Sequence, residues 1–130
     1  MICIDSSGWL QYFLRGPLVG SYRDYIRGDE PILVPAVVIY EVYKALRRQI
    51  PEQSADEAAL QLTRHRVIPL DADLALAAAA VSLNHGLPFA DAVIYATAEI
   101  HEATIITSDA HFADLPGVEY IATVEGGMRD

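Results

Sequence analysis

Short β-branched runs recurring between helix-length stretches constrain this chain more than any other feature. "ICID" (2–5), "ILV" (32–34), "VI" (67–68), "TIIT" (104–107) and "VEYI" (118–121) are each two to four residues long. Strands alternating with helical patterns read as an α/β fold with a mostly parallel central sheet. The intervening stretches supply the helices. Ser6 or Ser7 caps a helix through Leu14, which Gly16-Pro17 ends. A second amphipathic helix covers 18–26, and a long one covers 36–49, ending before Pro51. Another opens at Ser54 or Asp56 and runs to Arg64. Asp71 caps an Ala-rich helix that ends near His85-Gly86, and Pro88 starts one that runs to about His101. Two of the crossovers hold more than one helix, so helical content is high.

The 130 residues suit a single domain, 1–130, and an apolar fraction of 52% is enough for a sizeable core. No linker, repeat or low-complexity tract interrupts the pattern. The chain reads as strand from Ile2, without a basic segment leading into a long apolar stretch. No apolar run approaches the ~20 residues that cross a bilayer. Cys3 is the only cysteine and sits inside a strand, where it reads as a small core residue. A disulfide-free chain with these features is expected to be cytoplasmic, without a membrane partner.

The net charge of −9 is unevenly spread. Residues 1–66 balance eight Lys/Arg against eight Asp/Glu, while residues 67–130 hold one Arg and ten acids. A generic nucleic-acid binder is basic, so the balance argues against one. It does not exclude an enzyme that grips phosphates through bound cations. Arg15, Arg23, Arg27, Lys44, Arg47, Arg48, Arg64 and Arg66 read either as a patch on one side or as solvated helix faces.

Four carboxylates have settings that a solvated surface does not explain. Asp5 directly follows Ile2-Cys3-Ile4, and Asp109 directly follows the run through Thr107-Ser108. Ligands of open α/β sheets gather outside the carboxyl ends of the strands, so these two are expected to share one edge if their strands are near neighbours. Glu41 shares a helical stripe with Val37, Val38, Val42 and Ala45, and Asp91 shares one with Ile94, Tyr95 and Ala98. Each acid alone has an ordinary reading: a cap or turn for Asp5 and Asp109, a first-turn residue for Asp91, a stripe-edge residue for Glu41. Together these readings weaken, because buried carboxylates need a partner or a metal, and no matching Arg or Lys lies on the stripes. Hard oxygen donors suit Mg2+ or Mn2+ rather than zinc. His65, His85, His101 and His111 show no ligand spacing and read as helix-end or loop residues. Asp71 reads as a cap and Asp114 as a surface residue.

"MICIDSSGWLQYF", "VPAVVIYEVYKAL", "LPFADAVIYATA" and "ATIITSDAHF" together resemble the four acidic motifs of PIN domains, in order and across nearly the whole chain. The resemblance is strongest to the VapC toxins of toxin–antitoxin pairs. It implies a three-layer α/β/α domain with a short, mainly parallel sheet. It also implies a Mg2+- or Mn2+-dependent endoribonuclease that hydrolyses RNA, forms a homodimer and is silenced by a VapB-type antitoxin. The acidic positions carry over as Asp5, Glu41, Asp91 and Asp109. Asp5, Asp91 and Asp109 are then expected to carry the metal load. Glu41 is expected to share it, directly or through water, or to position the attacking water. Ser6, Ser7 and Thr107 take the family's hydroxyl positions, with Ser7 favoured to orient the site. Some relatives have a further Asp where this chain has His111, which leaves the hold on a second metal open. Trp9, Tyr12, Phe13, Tyr22, Tyr25, Tyr40 and Tyr43 cluster in the first third, as core or as a groove for the antitoxin.

Other classes fit less well. A haloacid-dehalogenase-like phosphatase wants Asp-x-Asp after a strand, and the residue two after Asp5 is Ser7. A receiver domain needs a late Lys, and residues 67–130 contain none. Two alternatives stay within the resemblance: a non-catalytic PIN-like module that binds RNA or a partner, and a PIN nuclease of RNA processing outside toxin–antitoxin systems.

Overall fold

A computed structural model describes residues 1–122. The end of the expected 1–130 domain, residues 123–130, lies outside the described residues. Five strands form one parallel sheet: β1 (Ile2–Ile4), β2 (Ile32–Pro35), β3 (Arg66–Ile68), β4 (Thr104–Thr107) and β5 (Val118–Tyr120). Six helices connect and cover them: α1 (Ser6–Phe13), α2 (Val19–Ile26), α3 (Ala36–Arg47), α4 (Glu52–Thr63), α5 (Ala72–His85) and α6 (Phe89–Ile100). A 3₁₀ turn, Ala110–Phe112, follows β4. The layering is α/β/α, as expected.

The strand order is β3-β2-β1-β4-β5. The chain moves outward from β1 to β2 and β3, then returns to the other side of β1 for β4 and β5. The order therefore reverses between β1 and β4, which leaves a crevice at their carboxyl ends. Register fixes the alignment there, with Ile4 opposite Ile106. The Asp5 amide extends the pairing by donating to the Ile106 carbonyl at 3.3 Å.

Burial explains the greasy strands. β1 and β2 are buried throughout, and Ile105, Ile106 and Thr107 of β4 are buried too. Strands covered on both faces read as continuous apolar runs rather than alternating ones. The edge strands β3 and β5 are more exposed. Helix α6 packs across β1, β2 and β4 and buries every residue from Ala92 to Ala98, with α5 alongside. Helix α1 packs on α2 and α3, and α3 on α4. Cys3 is fully buried, and burial pushes its thiol up to about 12.

Element ends follow local chemistry. Asp71 caps α5 by accepting from the Leu74 amide, and Gly86 closes it with φ of 69°, a left-handed conformation suited to glycine. Two starts differ from the sequence reading. Helix α4 begins at Glu52 rather than Ser54 or Asp56, because Pro51 serves as its N-cap instead of merely stopping α3. Helix α1 is capped by Asp5 rather than Ser6 or Ser7, through the Gly8 amide at 3.2 Å.

Trp9 and Tyr22 lie in the core, each at most 1% exposed. Trp9 stacks on Phe13 at 5.9 Å and lies 5.6 Å from the His65 ring. Gly8 is where α1 and α2 meet: a Cβ there would stand 2.4 Å from the Tyr22 ring and 2.7 Å from Ile4. Both neighbours are fully buried and have no open space to retreat into. Gly8→Ala is therefore expected to lower stability by about 1–3 kcal/mol, the usual range for overpacking. Urea unfolding of the variant beside the parent chain measures this.

Candidate metal centre

The crevice between β1 and β4 collects the carboxylates. Asp5 enters it from the end of β1 and is 3% exposed. Its Oδ1 accepts the Gly8 amide, and its Oδ2 accepts the Ser7 hydroxyl at 2.9 Å. Thr107, fully buried at the end of β4, brings its hydroxyl near Asp5, where it favours the ionised carboxyl. The Thr107 Oγ1 also accepts the Asp109 amide at 2.9 Å. One hydroxyl thus lies next to both strand-end acids.

Asp109 caps the 3₁₀ turn, its Oδ1 accepting the His111 amide at 2.9 Å. Asp91 arrives from the first turn of α6, half-buried over the sheet. Its Oδ2 lies 3.1 Å from Nδ1 of His111, and the same nitrogen is 3.5 Å from Oδ1 of Asp109. Glu41 projects from α3 and accepts the Ser6 hydroxyl on Oε1. Asp91, Asp109 and His111 each offer a ligand atom within 4.8 Å of the others. Asp5 and Glu41 stand outside that tight group, but Asp5 feels the charge of Asp109, and Asp91 feels those of Asp109 and Glu41.

The electrostatics follow from this crowding. Burial pushes the Asp5 carboxyl up to about 6; hydrogen bonds from Ser7, Gly8 and Thr107 oppose the shift, and the Asp109 charge adds to it. Burial likewise raises Asp91, against the favourable contact with His111. Among the described residues, no Lys or Arg pairs with any of the four carboxylates. A buried acid, three acidic neighbours and no Lys or Arg partner among the described residues form a donor set suited to a divalent cation.

His111 occupies the position where some relatives carry a further Asp, and the structure brings it against Asp91 and Asp109. Its loop position was anticipated, but its proximity to Asp91 was not. The spacing Asp109-x-His111 is a weak signal by itself, and Asp91 lies twenty residues away in sequence. Six of the eight cationic side chains of residues 1–66 line two grooves. Lys44, Arg47 and Arg48 line one of about 850 Å³ with Tyr40, Tyr43 and Leu60, and Arg15, Arg23 and Arg27 line another of about 420 Å³ with Tyr12 and Phe13.

The fold is similar to known structures. A toxin–antitoxin complex from Klebsiella pneumoniae superposes with a TM-score of 0.77 at 21% identity, covering 93% of this chain and 100% of the other. VapC20 of Mycobacterium tuberculosis, described as a sarcin–ricin loop cleaving toxin, gives 0.77 at 23% identity, covering 94% and 100%. VapBC2 of Rickettsia felis, bound to a DNA fragment from its promoter, gives 0.72 at 17% identity, covering 92% and 98%. Compared by sequence with curated proteins, the chain matches none. The family pattern of the PIN domain matches residues 2–118, from the first residue of β1 to the first of β5, and the chain belongs to the PIN domain family.

Proposed function

We propose that this chain is a divalent-metal-dependent endoribonuclease of the VapC toxin type, held in check by a cognate antitoxin. The observation that carries the reading is the convergence of Asp5, Glu41, Asp91 and Asp109 on the crevice between β1 and β4 without a Lys or Arg partner among the described residues. The toxin–antitoxin complex and the cleaving toxin among its structural neighbours favour the same role.

Asp5, Asp91 and Asp109 would hold Mg2+ or Mn2+, with Glu41 as a further ligand or as the group that positions the attacking water. The bound ion would neutralise phosphate charge and lower the pKa of water, which is the chemistry a phosphodiester hydrolase needs. The remaining work falls to the side chains. Ser7 holds Asp5 through Oδ2, Ser6 holds Glu41, and Thr107 holds the Asp109 backbone. The positive groove residues, on α2, α3 and the turns next to helices, would meet RNA phosphates.

The antitoxin would cover apolar surface that the free chain exposes, such as Tyr40 and Leu60, each about 60% exposed. Leu76 and Leu83 of α5, one heptad apart and exposed, favour a homodimer through that helix. No described helix is long and apolar enough to cross a membrane.

Asp5→Asn and Asp91→Asn are each expected to lower RNA cleavage at least about a hundredfold, on the scale of losing a metal or general-base group. Circular dichroism should show the fold retained. Cleavage by purified chain, followed by RNA 5′-end mapping with and without chelator, checks this. Full activity of both variants would sink the assignment, and so would full activity in chelator.

A pH dependence follows from Asp5. Its folded carboxyl titrates near 6, against an ordinary value of 3.8, so the folded protein binds this proton more tightly than the unfolded chain. In chelator, this contribution to stability is complete below about pH 4, falls as pH rises to about 6 and is flat above that. Its size is about 3 kcal/mol at most. Urea midpoints at half-unit pH steps should show a steeper fall in the parent chain than in Asp5→Asn. Equal slopes would contradict the burial argument.

A further inference from the structure

We infer that His111 is itself a metal ligand in this chain, and that its nitrogen biases the centre toward Mn2+ over Mg2+. The inference rests on the metal-dependent reading above and adds to it a ligand and a selectivity.

The ring is placed by the acids rather than by packing. The His111 side chain is 63% exposed, so no core contact dictates its orientation. Its backbone amide is fixed to Asp109 Oδ1, and the next residue, Phe112, is fully buried and anchors the turn. The consequence is that Nδ1 faces both carboxylates, at 3.1 Å from Asp91 and 3.5 Å from Asp109. Ligands at right angles around an ion held at ~2.1 Å lie about 3 Å from each other. The nitrogen and the Asp91 oxygen, a hydrogen-bonded pair here, already have that separation. Nε2 is left on the far side of the ring, directed away from the acid that Nδ1 contacts.

Donor chemistry supplies the selectivity. Mg2+ is a hard ion that takes oxygen and keeps its waters, whereas imidazole suits first-row transition ions. A site of carboxylates alone accepts Mg2+ and Mn2+ on similar terms. Replacing one oxygen donor by a nitrogen costs Mg2+ more than Mn2+. His111 is therefore a specificity-determining residue for the ion.

The test is made on the full chain without any nuclease assay. Calorimetry gives the Mn2+ and Mg2+ dissociation constants, and pulsed electron paramagnetic resonance of bound Mn2+ reports directly coordinated ¹⁴N. The parent chain should bind Mn2+ more tightly and show nitrogen coupling. His111→Asp and His111→Gln should both lose the coupling, which assigns it to this ring. His111→Asp should also cut the Mn2+/Mg2+ preference at least about tenfold, the low end of effects seen when a metal's supporting group is changed. Mn2+ bound to the parent chain without nitrogen coupling would overturn the inference and leave the nuclease reading standing. So would an unchanged preference in His111→Asp. Failure of the parent chain to bind either ion would overturn both.

Discussion

The pairing of β1 with β4 is the constraint on which the rest of this structure depends. The two strands are a hundred residues apart in sequence, yet Ile4 faces Ile106 in the sheet. Because they are parallel, both end on the same edge. Because the strand order reverses between them, no crossover helix closes the gap above that edge. Asp5 and Asp109 are the residues the chain meets as it leaves each strand. Helices α3 and α6 then bring Glu41 and Asp91 toward the same opening. Without the reversal of strand order, the same residues would be scattered over a surface.

Capping and clustering are often treated as competing explanations for an acid at a strand end. Here they coincide. Asp5 caps α1 and Asp109 caps the 3₁₀ turn, and both still lie beside the crevice. The cap bonds orient each carboxylate, so local turn chemistry supplies the rigidity that a ligand set needs. The residual cost appears in the raised proton affinity of Asp5 and Asp91. Hydrogen bonds from Ser7, Gly8 and Thr107 reduce that cost without removing it.

Much of this was legible in the sequence because the strands are buried on both faces. "ICI" and "TIIT" are nearly pure apolar runs, so the acid that ends each one stands out. Glu41 and Asp91 were visible as charges on stripes that the structure buries, with Val38, Val42, Ile94 and Tyr95 around them. The hydroxyls were harder to place, since Ser6 and Ser7 compete with Asp5 for the same cap. The aromatic cluster divided between two roles: Trp9 and Tyr22 entered the core, whereas Tyr40 and Tyr43 line a groove. His111 stands out in the sequence only by its place two residues after Asp109, because its contact Asp91 lies on another element. No local spacing reports a contact made by folding a turn back over the start of α6.

Trp9 has a consequence of a different kind. It is the only tryptophan in the chain, and it sits four residues after Asp5 on the helix that Asp5 caps. An indole sealed from water emits at shorter wavelength than a solvated one, and an adjacent imidazole such as His65 can quench it. The chain thus contains a native optical reporter on the helix that Asp5 caps. Its emission follows the seating of α1 on the sheet without an attached dye and without a second indole to confuse the signal.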